Sequence, residues 1–598
     1  MFRSQTVVKQ TNPRQAEERL APKVRDMLVT DLRAEFYNLI KSQRVLVLVH
    51  FDLDGICASK ILQVLFRTDH ILYTVVPVQT CTQLLEAFQQ HAEQVKVVLL
   101  VNCGGCVDLV EALQPPDDLV FFVADNHRPL HVCNIYSASQ VRVLTQLGEE
   151  DEEVPAFEDV FRPDESEEEN SSDDDGGGGG SDDEEGGRGK RRRFDEDVLE
   201  KRRQRRLWEQ QRHKLLFDYT QFSFFGRSTA LLMFELAWKL SKDSNDLLWL
   251  AIIGETEMVL HERSEPGKHL LTSASLQTHV SRLNPKPAED APRPPSDSLR
   301  ITFEKDLTLA LYRHWSLVES MRHSPHLATA LRLWTLKGEK RLHELLAEMG
   351  LPLAQCRQLY CGMDVELRNG LQKMLEGKTD KYGLKNLFFM TFSATLGFRA
   401  RMCASDYVHA AVSLLERPDS DESPTTCFLD AADALDLTKP EVLGRGIELR
   451  KQQLEAIYRQ VQTFLDMNQV ICAGPFLYAT VVQGTPDARF FAAPHSLNLL
   501  ATFTLRAHVS TSRSRKSRNL PLILTTPDVK YPEPDHCLVC GIPPVSEETH
   551  KNLLGKAFEQ AAEKTNAKAD LDYFDTNVVR LSVEDRSKFF DALISLLS

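Results

Sequence analysis

From Arg44 onward, unbroken apolar runs alternate with mixed stretches. Residues 44–49 (RVLVLV), 71–78 (ILYTVVPV), 95–101 (VKVVLLV) and 119–124 (LVFFVA) show no polar–apolar alternation, so each predicts a strand buried on both faces. Between them, 56–66 (ICASKILQVLF) predicts a helix, and Thr80 followed by Gln83 has capping-box spacing ahead of another. Strand and helix in alternation predict a doubly wound α/β domain around a parallel sheet.

From Leu231 the pattern turns helical. STALLMFELAWKLS and NDLLWLAIIGETEMVL read as strongly apolar helices, and the proline-bearing stretch 284–298 as a loop. Helices then dominate to about residue 465. Ser324 is expected to cap one of them with Pro325 at its first position, and Gly350 and Pro352 to close the next. A β-rich segment follows in GPFLYATVVQG, ARFFAA and LPLILTT. The chain ends in strand NVVRL and helix SVEDRSKFFDALISLLS. There Ser582 and Asp585 stand at capping spacing, and Phe589, Leu593 and Leu597 form one apolar stripe that predicts packing on the helix's own domain.

Charge changes the picture in one place. The net charge of −15 is concentrated between Glu149 and Glu185, where about half of the residues are acidic. With its glycines and almost nothing apolar, the block to about Gly189 is expected to be disordered. Ser166, Ser171, Ser172 and Ser181, each followed by acidic residues, read as sites for an acid-directed kinase. Two basic clusters come next, Lys190, Arg191, Arg192 and Arg193, then Lys201, Arg202, Arg203, Arg205 and Arg206. Their spacing matches a bipartite nuclear import signal, and the same stretch has the composition of a helix with a basic face. A further basic run, Arg513, Arg515, Lys516 and Arg518, is a loop that suits contact with nucleic-acid phosphates or simple solvation. No apolar run reaches the length of about 18 residues that a membrane span needs. The twelve cysteines show no disulfide framework. Cys103/Cys106 and Cys537/Cys540 are C-x-x-C pairs, but zinc requires the pairs to converge or histidines such as His536 to join, and free thiols are the expectation.

The candidate chemistry lies at three strand ends: HFDLDG (50–55), NCGG (102–105) and DNHRP (125–129). In an open parallel sheet such ends meet in one crevice. Asp52, Asp54, Asp125 and His127 together suit magnesium or manganese. Taken singly, Asp52 or Asp54 is better explained as a cap on the following helix, and it is the three clusters at three strand ends that favour a site. Asn102 and Asn126 are poor metal ligands in the middle of the set.

These stretches resemble the motifs of the Asp-His-His phosphoesterase superfamily, which includes RecJ-type exonucleases running a two-metal hydrolysis. HFDLDG resembles the first motif, with His50 where an Asp is usual. NCGG resembles the second, with Asn102 for a bridging Asp. DNHRP resembles the name-giving motif, with Asn126 for its first His. Glu257, in IIGETE, is expected in place of a further ligand Asp. Losing several ligands implies a vestigial site of Asp52, Asp54, Asn102, Asp125, Asn126 and His127, without cofactor or metal.

The blocks from MLVTDLRAEFYNLI (27–40) to the C-terminal EDRSKFFDALISLL are similar to the cell division cycle 45 family of replication-initiation factors, an inactive branch of that superfamily. The resemblance implies a non-catalytic nuclear subunit joining the minichromosome maintenance hexamer and the GINS complex; weak single-stranded DNA contact is a separate expectation that rests on the basic run at 513–518. Residues 1–26, polar and without periodicity, fall outside the resemblance and are expected to be a disordered extension. The resemblance also implies an order of parts, with 27–148 the first part of the phosphoesterase-like domain. An acidic then basic insert occupies 149–206, and the domain continues over 207–270. A helical insertion with its connecting helices covers 271–465, and a smaller C-terminal α+β domain covers 466–598. The alternatives are a working metal-dependent single-strand exonuclease and an autonomous single-strand binding module.

Overall fold

The computed structural model describes residues 28–137, 139–145, 154–161, 188–284, 299–384, 386–397, 401–418, 423–529, 536–545 and 551–598. The N-terminal extension expected over residues 1–26 and the four serines of the acidic block lie outside these residues.

Four strands form where the apolar runs predict them: β1 (Val45–His50), β2 (Tyr73–Val78), β3 (Val97–Val101) and β4 (Val120–Ala124). A fifth that the sequence reading missed, β5 (Val141–Val143), completes a sheet of order β2-β1-β3-β4-β5, parallel throughout. Alternate residues serve opposite faces, as the strand period of two requires. Val45, Val47 and Val49 pack beneath α1 (Leu53–Thr68), while Leu46 and Leu48 pack beneath α2 (Cys81–His91). Both faces are therefore covered, and the doubly wound expectation holds. Thr80 caps α2 by accepting from the Gln83 N–H at 3.2 Å, but Gln83 reaches back to the Gln79 N–H instead of closing the box on Thr80.

The basic stretch is helical. α3 (Arg188–Thr220) carries the backbone of both basic clusters on one helix, with Arg203, Arg205 and Arg206 exposed. Then α4 (Thr229–Lys239) and α5 (Asn245–Leu260) join α1 on one face of the sheet, with Leu231, Phe234, Leu248 and Ile252 in the shared core. α6 (Pro266–Leu283) follows.

The stretch read as mainly helical contains a long ribbon. β6 (Leu299–Leu307) pairs antiparallel with β7 (Phe388–Leu396) over nine residues, flanked by Met402–Cys403. Its strands are separated by some eighty residues, so no turn signal announces the pairing. Those residues form small helices around Leu317, Leu345 and Leu371. Ser324 stands at the predicted cap position before Pro325. Its hydroxyl instead accepts from the Ala310 N–H and donates to the Ser320 carbonyl. α7 (Ala404–Leu415) packs on α5, and α8 (Pro440–Asp466) runs on to the C-terminal part.

There a six-stranded mixed sheet runs Ile471–Cys472, β8 (Leu477–Thr480), β9 (Leu522–Pro527), β10 (His536–Ile542), β11 (Val578–Ser582) and Ala569–Asp570. ARFFAA is no strand: Ala488–Phe491 is a 3-10 turn leading into α9 (Pro494–Thr511), a helix the β-rich reading omitted. A short apolar run does not distinguish the two states. α9 covers one face of this sheet; α10 (Leu554–Thr565) and α11 (Arg586–Leu597) cover the other. Ser582 ends β11 and does not cap α11, which starts after Asp585, whose carboxylate accepts from the Lys568 N–H. The stripe of Phe589 and Leu593 is buried as predicted, with Leu597 at its margin. Cys537 and Cys540 fall three apart on β10 and serve opposite cores, so they cannot share a metal. This sheet docks on the first: the Cys81 N–H donates to the Asp572 carbonyl at 2.9 Å, and Phe574 joins the core beneath β1 and β3.

Candidate functional site

The three polar clusters meet at the carboxyl ends of β1, β3 and β4. Asp52 caps α1, accepting from the Gly55 N–H at 3.0 Å. Asn102 follows β3 with a φ of +53°, a conformation that Asn tolerates better than most residues, and its N–H is bonded to the Ala124 carbonyl. After β4, His127–Arg128 pair antiparallel with Phe224–Phe225, and the Asn126 carbonyl accepts from the Gly226 N–H. That ribbon delivers the chain to α4, whose N-terminus points into the crevice.

Asp54 is the hub. Its Oδ2 accepts from Asn102 Nδ2 at 3.0 Å, Asn126 Nδ2 at 3.1 Å and the Thr229 N–H at 2.8 Å. Its Oδ1 accepts from Ser228 Oγ at 2.5 Å and the Ala230 N–H at 3.1 Å. A carboxylate offers about four lone-pair sites, and five protein donors occupy them. Two of the donors are the amides that stand in metal-motif positions, and two are backbone groups at a helix N-terminus, where negative charge is favoured. Asn102 also donates to Asp52 Oδ2 at 2.8 Å, and its own carbonyl accepts from the Thr229 hydroxyl. The carboxylate face that would ligate a metal is filled by the protein's own N–H and O–H groups.

The remaining charges are likewise committed. Asp125 Oδ1 lies 2.7 Å from His127 Nδ1, and its Oδ2 accepts from the Gly105 N–H at 2.8 Å. Burial alone would raise Asp125, but the His127 charge and these bonds outweigh it and hold the carboxyl below its ordinary range. Burial would depress His127, and Asp125 overrides it, so the imidazole is held above its ordinary value. The two form a buried ion pair. His50, packed edge-on to His127 and to Phe574, is pushed down to about 3 by burial and then by the His127 charge, so it is neutral. Asp52 is pushed well up, by burial first and then by Glu257 and Asp54.

Glu257 lies in the crevice as expected. Its Oε2 accepts from the Asp54 backbone N–H at 2.6 Å, and Oε1 faces Arg263 at 3.9 Å. Burial and then the Asp54 charge, against the pull of Arg263, leave Glu257 above its ordinary value. Arg263 in turn pairs with Asp575 at 3.0 Å and lies over the Phe225 ring. A guanidinium from the end of α5 thus supplies positive charge beside the carboxylates.

All six predicted vestigial residues come together. Arg513, Lys516 and Arg518 are exposed, next to or within the short helix Arg515–Arg518, and make no hydrogen bond or ion pair with them among the described residues. Ser228, Thr229 and Arg263 were missed. Ser228 was legible as a cap opening an apolar helix; nothing local marks Arg263. Two dications bring four positive charges and require open carboxylate lone pairs. The donors here do not fit that requirement.

The family model CDC45 matches residues 45–596. The protein of Homo sapiens named Cell division control protein 45 homolog is 44% identical over 573 residues, covering 96% of this chain and 100% of the human protein. The Mus musculus protein of the same name gives 44% over 573 residues, with the same coverage of 96% and 100%. Among solved structures, the crystal structure of CDC45 from Entamoeba histolytica superposes with a TM-score of 0.67 at 21% identity, covering 95% of this chain and 98% of that one. That likeness establishes the shared fold.

Proposed function

The chain belongs to the CDC45 family, and from that premise we propose that it is a non-catalytic subunit of the eukaryotic replicative DNA helicase. It joins the minichromosome maintenance hexamer and GINS in the nucleus, for initiation and elongation of DNA replication. The single observation that carries the non-catalytic part is the Asp54 carboxylate, whose two oxygens accept from five protein donors. An exonuclease of the two-metal kind needs those oxygens for its ions. Here Asn102 and Asn126 hold the hub together by hydrogen bonds, and the crevice serves as scaffold.

The bridging role rests on family membership and is tested by purification of the tagged chain from replicating nuclei. The ring and GINS subunits should be recovered together with it; their absence refutes the assignment. For the catalytic alternative, the purified chain is incubated with labelled single strands and manganese. No degradation above background is expected, whereas manganese-dependent cleavage abolished by Asp52→Ala would establish a nuclease.

A further inference from the structure

We propose that Asp108, His131 and Cys133 form a zinc-binding site on the rim of the crevice. One ligand atom from each residue, a carboxylate oxygen, an imidazole nitrogen and a thiol sulfur, lies within 4.8 Å of the other two. Oxygen, nitrogen and sulfur together are the mixture zinc accepts, with a fourth position left for water. A tetrahedron with bonds of about 2.0–2.3 Å has edges of roughly 3.3–3.8 Å. Small side-chain rotations therefore close the set around an ion. The C-x-x-C pairs that drew notice in the sequence take no part in it.

A second observation points the same way. The His131 ring is half-buried, and its Nδ1, shielded from solvent, has no hydrogen-bond partner among the described residues. A buried polar nitrogen left unpaired is unfavourable by about 1–3 kcal/mol, and an ion bound through Nδ1 would supply the missing partner. Asp108 uses Oδ1 for capping, accepting from the Val110 and Glu111 N–H groups, and its carboxylate also meets the Cys133 thiol in a hydrogen bond, so these two ligands already face each other.

The frame that carries these ligands is already rigid. Asn134 Nδ2 donates to the carbonyls of Gly104, Gly105 and Val107, its Oδ1 accepts from the Leu109 N–H, and the His131 N–H donates to the Gly105 carbonyl at 2.8 Å. Asp108 stands on the loop after β3, which begins with Asn102. His131 and Cys133 stand beyond β4, just past Asp125, Asn126 and His127. An ion here staples together the two loops that line the vestigial crevice. The proposal is independent of the helicase reading.

The test uses the full chain, stripped with a chelator and titrated with cobalt as a spectroscopic surrogate. One equivalent should bind with a near-ultraviolet thiolate-to-cobalt charge-transfer band, and zinc should displace it. Cys133→Ser should abolish the band, and Cys106→Ser should leave it. Asp108→Asn keeps a capping side chain, yet should weaken binding by at least about tenfold, the loss seen even for supporting residues of metal sites. It decides the matter if Cys133→Ser fails to fold. Zinc should raise the thermal midpoint of the native chain more than that of Asp108→Asn. A cobalt band that survives Cys133→Ser, disappears in Cys106→Ser, or is unchanged in Asp108→Asn overturns the site.

Discussion

Asn102 replaces an expected acid with an amide, and the consequence can be followed atom by atom. An Asp at this position accepts hydrogen bonds only, so it would set a third carboxylate against Asp52 and Asp54, which Asn102 now bridges with donors at 2.8 and 3.0 Å. Asn102→Asp is therefore expected to destabilise the chain by about 3–5 kcal/mol, the range for uncompensated buried charge. The readout is thermal unfolding with and without manganese. A variant that matches the parent only when manganese is present would show that the crevice still accepts ions. The Asp125–His127 pair predicts a pH window. Asp125 is lowered, so its share of stability is present above the ordinary carboxyl value of 3.8 and is lost as pH falls through its folded value. His127 is raised, so its share is present below the ordinary 6.5 and is lost as pH rises through its folded value. The pair contributes fully only between those limits. His127→Gln should lose most stability relative to the parent inside the window and least outside it; an equal loss at every pH would refute the ion pair.

Among the elements, α4 is the one whose placement makes the crevice. Its first turn offers Ser228 Oγ and the Thr229 and Ala230 N–H groups to Asp54, the arrangement by which helix N-termini hold anions, here an internal one. Ser228 also caps the helix through the Leu231 N–H. Ser228→Ala should thus exceed the usual cap loss of about 1 kcal/mol by leaving a buried carboxylate short of a donor; a loss limited to the cap value in denaturant melts would show that Asp54 does not depend on it. α5 must approach as closely from the other side. A Cβ on Gly254 would lie 2.5 Å from Asp54 Oδ1 and 2.7 Å from the Ala230 Cβ. Gly254→Ala is expected to destabilise by about 1–3 kcal/mol, as overpacked cores do, although alanine is the better helix former. Unchanged or increased stability in the same melts would refute the close packing.

For the molecule as a whole, the crevice floor comes from the first sheet and its lid from the last third of the chain. Arg263 links them, facing Glu257 on one side and Asp575 on the other, while Tyr573 pairs with Thr80 and Phe574 fills the core beneath β1. Asp575→Ala removes the carboxylate that pairs with the buried guanidinium at 3.0 Å and should loosen the docking. Hydrogen exchange at Cys81 and Thr82, whose N–H groups bond to Asp572, should quicken markedly, while the interior of β10 stays protected. Exchange unchanged at both would show that the two sheets are held without this pair.

What was legible beforehand follows from the range of the forces involved. Continuous apolar runs determined the parallel sheet, because a strand covered on both faces has no polar face to alternate, and the rule that sites form at strand ends located the six crevice residues. The asparagines announced themselves as wrong ligands by chemistry alone. Their use as donors did not, since Ser228, Thr229, Glu257 and Arg263 reach Asp54 and its neighbours from about 170 to 210 residues away. The ribbon of β6 and β7 stayed hidden for the same reason, as did the meeting of Asp108 with His131 and Cys133 across two loops. Local pattern decides which segments become strands or helices and which residues carry chemistry. Only packing of distant segments decides which lone pairs are left open, and in this crevice it closes those of Asp54.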